Sequence, residues 1–80
     1  MIRIYTLPNC SQCSEVKEYL DSRNIEWKDI DMSKGGNKKT IEMKKKFVSM
    51  GIKNYPVVVW NDDTIIPGFN KDLMDSLIEE

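Results

Sequence analysis

Ile2-Arg3-Ile4-Tyr5-Thr6-Leu7-Pro8-Asn9-Cys10-Ser11-Gln12-Cys13 decides how this chain is read. Ile2–Thr6 is short, rich in β-formers and alternating, which predicts a first strand. Pro8 ends it, because proline cannot donate to a ladder. Residues 11–23 contain no glycine or proline, and Cys13, Val16 and Leu20 recur at helical spacing with Tyr19 beside them. A helix burying that stripe is predicted. The two cysteines therefore stand where a strand ends and a helix begins.

That placement has chemical meaning. A helix N-terminus offers unpaired N–H groups and partial positive charge, and both favour a thiolate over a thiol at Cys10. Such sites lower a cysteine pKa from about 8.5 toward 7 or below. Cys13 lies one turn later on the same face, within reach of a mixed disulfide formed at Cys10. The pair would then act as nucleophile and resolving thiol. Two other readings stay open at this point. The cysteines could be buried packing residues. They could also be half of a metal or iron–sulfur site, completed by a second copy or by external thiols.

Working outward, residues 26–30 around Trp27 predict a second strand, after a stop at Asn24. Residues 31–37 read as a polar loop containing Gly35-Gly36. Asn37 caps a second helix running to Met50, with Met43, Phe47 and Met50 on one face and Gly51 ending it. Lys38, Lys39 and Lys44-Lys45-Lys46 make that helix locally basic. Residues 56–60, Pro-Val-Val-Val-Trp, form a strand buried on both faces. Residues 61–63 turn into a strand over 64–66, giving an antiparallel hairpin. Pro67-Gly68-Phe69 breaks the pattern. Asn70 caps a last helix with Asp72 in its first turn and Leu73, Met74, Leu77 and Ile78 on its apolar side. The order β-α-β-α-β-β-α predicts an α/β fold, a four-stranded mixed sheet with three helices on its two faces.

Composition narrows the chemistry. The chain has 80 residues, 40% hydrophobic and 31% charged, an ordinary globular balance for a single domain over 1–80. Its formal charge is −1, which does not suit a nucleic-acid backbone. There is no histidine, so imidazole acid–base chemistry and histidine metal sites are excluded. No apolar run approaches the ~18 residues of a membrane span. Two cysteines three apart close almost no loop and would staple little, so reactivity explains them better than architecture. A cytoplasmic, reducing setting is expected.

With Cys10-Ser11-Gln12-Cys13, the segment Gly51-Ile52-Lys53-Asn54-Tyr55-Pro56-Val57-Val58-Val59, and Gly68-Phe69-Asn70-Lys71-Asp72, the chain resembles the glutaredoxin branch of the thioredoxin fold, and within it the NrdH-redoxins. The resemblance covers nearly the whole chain. It implies a thiol-disulfide oxidoreductase whose catalytic residues are Cys10 and Cys13. It implies a cis Tyr55-Pro56 bond beside the dithiol, with Ser11, Gln12, Tyr55, Pro56, Gly68, Phe69 and Asp72 meeting the substrate. No bound cofactor or metal is implied, only a reversible Cys10–Cys13 disulfide. NrdH-redoxins take electrons from thioredoxin reductase, a flavoprotein, and pass them to ribonucleotide reductase, so those partners and a monomer are expected.

Glutathione-using glutaredoxins are the alternative. They commonly carry Cys-Pro-Tyr-Cys, a lysine just before it, Thr-Val-Pro, and Gly-Gly followed by Asp. Here the middle residues are Ser11-Gln12, no lysine or arginine lies between Arg3 and Cys10, and Phe69 follows Gly68. Asn70-Lys71-Asp72 also departs from the Arg-Pro-Asp usual in NrdH-redoxins. A missing cation and a bulky ring are expected to weaken glutathione binding.

Overall fold

The computed structural model describes residues 1–34 and 36–79. Strand β1 (Ile2–Thr6) is followed by α1 (Ser11–Ser22), β2 (Trp27–Asp31), a single 3-10 turn (Met32–Lys34), α2 (Lys38–Ser49), β3 (Val57–Trp60), β4 (Thr64–Pro67) and α3 (Lys71–Glu79). The sheet order is β2-β1-β3-β4. β1 is parallel to β2, with Ile4 opposite Asp29, and antiparallel to β3, with Tyr5 opposite Val57. The β3–β4 hairpin turns through Asn61 and Asp62 at φ 50° and 67°, the left-handed pair a mirror-image turn requires. The expected α/β fold is present, strand for strand and helix for helix.

Period-two alternation divides the core. Ile2, Ile4, Val58, Trp60 and Ile66 pack with Val16, Tyr19 and Leu20 of α1 and Met74 of α3. Tyr5, Val57 and Val59 meet Phe47 of α2 on the opposite face, Tyr5 and Phe47 edge-on at 5.2 Å. All four residues of β3 are buried, as its unbroken apolar run predicts.

Both long helices end in the same way. Asn24 and Gly51 adopt left-handed φ of 56° and 80°. The N–H groups of Ile25 and Ile52 then reach back to the carbonyls of Leu20 and Phe47, at 3.0 and 2.9 Å. These are Schellman turns, in which the residue after the left-handed one folds onto the helix's last apolar turn.

That geometry corrects the expected face of α2. Met50 sits on the terminal turn, 51% exposed, and Ile52 takes the place beside Phe47. Leu73 is likewise 38% exposed, since α3 lies on the sheet through Met74, Leu77 and Ile78. β2 runs one residue later than expected, and Asp31 ends it by accepting Ser33 N–H at 2.9 Å, which starts the 3-10 turn inside the expected loop. Gly35 of that loop lies outside the described residues. Pro67 belongs to β4, opposite Val57, which an outer strand of the sheet tolerates. Among the described residues no helix is long and apolar enough to cross a membrane.

A polar clip joins α1 to α3. The Tyr19 hydroxyl donates to Asp75, Arg23 Nη2 lies 3.2 Å from Asp75 Oδ1, and the Arg23 guanidinium sits 4.1 Å over the Tyr19 ring. Burial, and next the bond to Asp75, push the Tyr19 phenol from 10.0 up to about 12. The fold favours the neutral phenol, so this contribution is complete below pH 10 and is lost as pH rises through about 12. Tyr19→Phe is expected to lower stability near neutrality by about 0.5–1.5 kcal/mol, the worth of one hydrogen bond. The gap between wild type and variant should close above pH 10 in urea unfolding followed against pH. A gap that persists unchanged to high pH would show that the clip contributes through packing alone.

Candidate active site

The end of β1 fixes the site. After Thr6 the chain turns through Leu7, Pro8 and Asn9, the last at φ 59°, a left-handed value asparagine tolerates. Cys10 is then the N-cap of α1, with extended φ and ψ of −107° and 105°. Its carbonyl accepts the first helical bond, from Ser14 N–H at 3.4 Å. Its Sγ accepts from Cys13 N–H at 3.2 Å, in the position a serine or aspartate oxygen ordinarily takes. A sulfur that caps a helix feels the partial positive charge of its first turn, which favours negative charge there.

Cys10 and Cys13 are joined in a disulfide, with Cα atoms 5.3 Å apart. The two sulfurs differ in access. Cys13 is 3% exposed and belongs to the stripe buried under α1, while Cys10 is only half-buried. An open depression of about 580 Å³ fronts them, walled by Leu7, Asn9, Ser11, Ser14 and Lys17.

The loop before β3 closes the other side. Tyr55-Pro56 is cis, as the resemblance implies, and Pro56 is buried. The Tyr55 ring packs edge-on against Phe47 at 6.3 Å, and burial pushes its phenol above 10.0. Its carbonyl oxygen lies 3.8 Å from Cys10 Sγ. In the disulfide this is a contact without a proton; a reduced Cys10 thiol has an S–H to donate there. Gly68 N–H donates to Pro56 O at 2.7 Å, tying the β4–α3 turn to the same loop.

The anticipated residues are thus only partly gathered. Cys10, Cys13, Tyr55, Pro56 and Gly68 form one connected set. Ser11 and Gln12 are exposed on the first turn of α1. Phe69 is half-buried and packs on Tyr19, with ring centres 5.8 Å apart, so much of its ring is core. Asp72 is exposed, and no hydrogen bond or ion pair among the described residues ties it to the dithiol.

Three residues escaped the sequence reading. The Thr6 hydroxyl, nearly buried, donates to Asp29 Oδ1 at 2.9 Å, and Lys17 Nζ pairs with the same oxygen at 2.8 Å. Lys17 also lies 5.6 Å from the centre of the Trp27 ring. Helical spacing carries the missed signal: Lys17 stands four residues after Cys13, hence on its face. The segment before Cys10 carries no basic residue, as read from the sequence; a cation on the same depression comes instead from α1, as Lys17. Among the described residues, no three cysteine, histidine, aspartate or glutamate side chains cluster as metal ligands.

Comparison with known proteins places this geometry. The glutaredoxin family model matches residues 2–65. A glutaredoxin-like 8.6 kDa protein of the rubredoxin operon of Clostridium pasteurianum is 39% identical over 80 residues, covering 100% of both chains. The glutaredoxin-like protein NrdH of Lactococcus lactis subsp. cremoris is 30% identical over 69 residues, 86% of this chain and 88% of that one. Among solved structures, the NrdH-redoxin of Escherichia coli, a glutaredoxin-like protein with a thioredoxin-like activity profile, superposes with TM-score 0.76 at 26% identity, over 95% of this chain and 92% of its own.

Gly68 has φ +73°, and a Cβ built there meets nothing within 4 Å. A side chain would therefore cost only backbone conformation. Gly68→Ala is expected to lose about 1–2 kcal/mol of stability, and Gly68→Asn less, because asparagine tolerates the left-handed region. Urea midpoints measure both. Equal losses for the two variants would place the cost in side-chain contacts instead.

Proposed function

This chain belongs to the glutaredoxin family, whose members are thiol-disulfide oxidoreductases, and we propose that it is a dithiol electron carrier of the NrdH-redoxin kind. The observation that carries the reading is the Cys10 sulfur, which caps α1 through Cys13 N–H, faces the Tyr55 carbonyl and is more accessible than Cys13.

In the proposed cycle the Cys10 thiolate attacks one sulfur of a substrate disulfide. The substrate S–S bond breaks, a mixed disulfide forms at Cys10, and one substrate thiolate leaves. Cys13 gives up its proton and attacks Cys10 Sγ, releasing the second thiolate and closing the Cys10–Cys13 bond. The protein dithiol loses two electrons, the substrate disulfide gains them, and protons from the dithiol or solvent complete the two product thiols. Tyr55, Pro56 and Gly68 line the approach. The Tyr55 backbone is suited to pair with an extended substrate segment, as in strand addition. Ser11, Gln12, Phe69 and Asp72 are assigned to the outer contact surface.

On this reading residues 1–80 work as one domain, cytoplasmic and monomeric. Its electrons come from a thioredoxin reductase-like flavoprotein and go to a protein disulfide such as that of ribonucleotide reductase. The similarity to NrdH proteins supports this choice of partners. One observation favours the glutathione-dependent alternative: Lys17 supplies a cation beside the dithiol, able to meet a carboxylate.

Cys10→Ser is expected to abolish disulfide reduction, and Cys13→Ser to trap a substrate as a mixed disulfide on Cys10, read by mass spectrometry of the linked peptide. A partner trapped on Cys13 in the Cys10→Ser protein would reverse the two roles.

The electron source is decided by offering the oxidised protein NADPH with thioredoxin reductase and, in parallel, glutathione with glutathione reductase. Turnover is followed with a protein disulfide as final acceptor. At least tenfold faster turnover with thioredoxin reductase is expected, a difference of about 1.4 kcal/mol in barrier. A preference for glutathione would replace the NrdH-like reading with the glutaredoxin one.

A further inference from the structure

We propose that Lys17 is a specificity-determining residue that favours disulfides carrying negative charge beside the scissile bond, and that Asp29 restrains it. The inference rests on the dithiol reading above and adds a substrate class to it.

Among the described residues, Lys17 is the one charged side chain on the wall of the depression in front of Cys10 and Cys13. Its side chain keeps 32% of its surface exposed, so an incoming group can reach it. Asp29, its partner at 2.8 Å, is not part of that wall. Lys17 therefore meets the depression in front of the dithiol, and its carboxylate partner does not. A half-exposed pair of this kind is weak, and an ammonium has three donors, of which Asp29 needs one. A substrate carboxylate can therefore share Lys17 or draw it from Asp29.

Lys17 is also held in place. Asp29 is fixed through its bond from the nearly buried Thr6, the last residue of β1, and the Lys17 ammonium lies near the face of Trp27. Thr6 precedes the turn that delivers Cys10, so the cation and the sulfur are anchored to the end of one strand. The restraint works in two directions. It keeps the cation at the site, and it tempers its attraction for anions.

The test uses three small disulfides of similar size and different charge: dithiodiglycolate, a dianion; bis-hydroxyethyl disulfide, neutral; and cystamine, a dication. The fully reduced protein, freed of reductant, is mixed with each, and oxidation of its dithiol is followed in a single turnover. The quantity read is the ratio of second-order rate constants, dithiodiglycolate over cystamine, with the neutral disulfide as reference.

Lys17→Gln is expected to lower that ratio about threefold and Lys17→Glu about tenfold, the size of effect one and two unit charges produce at such distances in a watery site. Lys17→Arg should restore it, and Asp29→Asn should raise it. Lys45→Gln, a lysine of α2 outside the wall, should leave the ratio at its wild-type value. All differences should shrink at about 1 M salt, where charges are screened within about 3 Å. If Lys17→Gln and Lys17→Glu leave the ratio unchanged, or slow all three disulfides alike, Lys17 is a structural residue and the proposal is wrong. If the wild-type dithiol oxidises with none of the three, the dithiol reading itself fails, and this inference falls with it.

Discussion

β1 is hydrogen-bonded along both edges, and every other element takes its place from that strand. A buried strand with an unpaired edge would leave its backbone groups without partners, so β2 and β3 are obligatory neighbours. Its pleat sends Ile2 and Ile4 toward α1 and α3 and Tyr5 toward α2. Its last residue, Thr6, fixes where the chain must leave the sheet, and four residues later a cysteine becomes the first cap of a helix. The Cys10 sulfur is therefore positioned from a ladder of main-chain bonds, and its two polar contacts among the described residues are with backbone groups, Cys13 N–H and the Tyr55 carbonyl.

Much of this was legible because the signals are local. The cysteine spacing, the caps at Asn37 and Asn70, and the Asn61-Asp62 turn each depend on a handful of adjacent residues, and each stands where it was expected. The unbroken apolar run of β3 likewise announces a strand with no wet face. The misread residues depend on geometry that sequence spacing does not carry. Met50 has the right period for the core, but the left-handed turn at Gly51 removes it and brings in Ile52. Leu73 has the right period as well, and the angle at which α3 lies on the sheet leaves it outside.

Lys17 and Phe69 show the same limit at the site itself. Sequence spacing points for specificity to the residues flanking the two cysteines and to the ring after Gly68. The fold spends much of the Phe69 ring on Tyr19, where it joins α3 to α1. It supplies the cation from a full turn inside the helix, through a pairing with β2 that exists only once the parallel strands are in register. Electrostatics near the dithiol is thus a property of the β1–β2–α1 unit and not of the four-residue motif.

Chain order also separates in time the parts that the sheet brings together. Strand β1 is made early, and α1 and β2 follow directly, so both cysteines and Lys17 lie within the first 31 residues, although α1 packs on Val58, Trp60, Ile66 and Met74, which come later. The opposite wall is the Tyr55 carbonyl, which faces Cys10, and behind it the Gly68 N–H bond to Pro56; both wait until β3 has been synthesised and has paired with β1 across more than half the chain. On the ribosome the two sulfurs therefore emerge well before the loop that faces them. During that interval they are an ordinary pair of thiols without their finished surroundings, and the docking of one late hairpin completes the pocket.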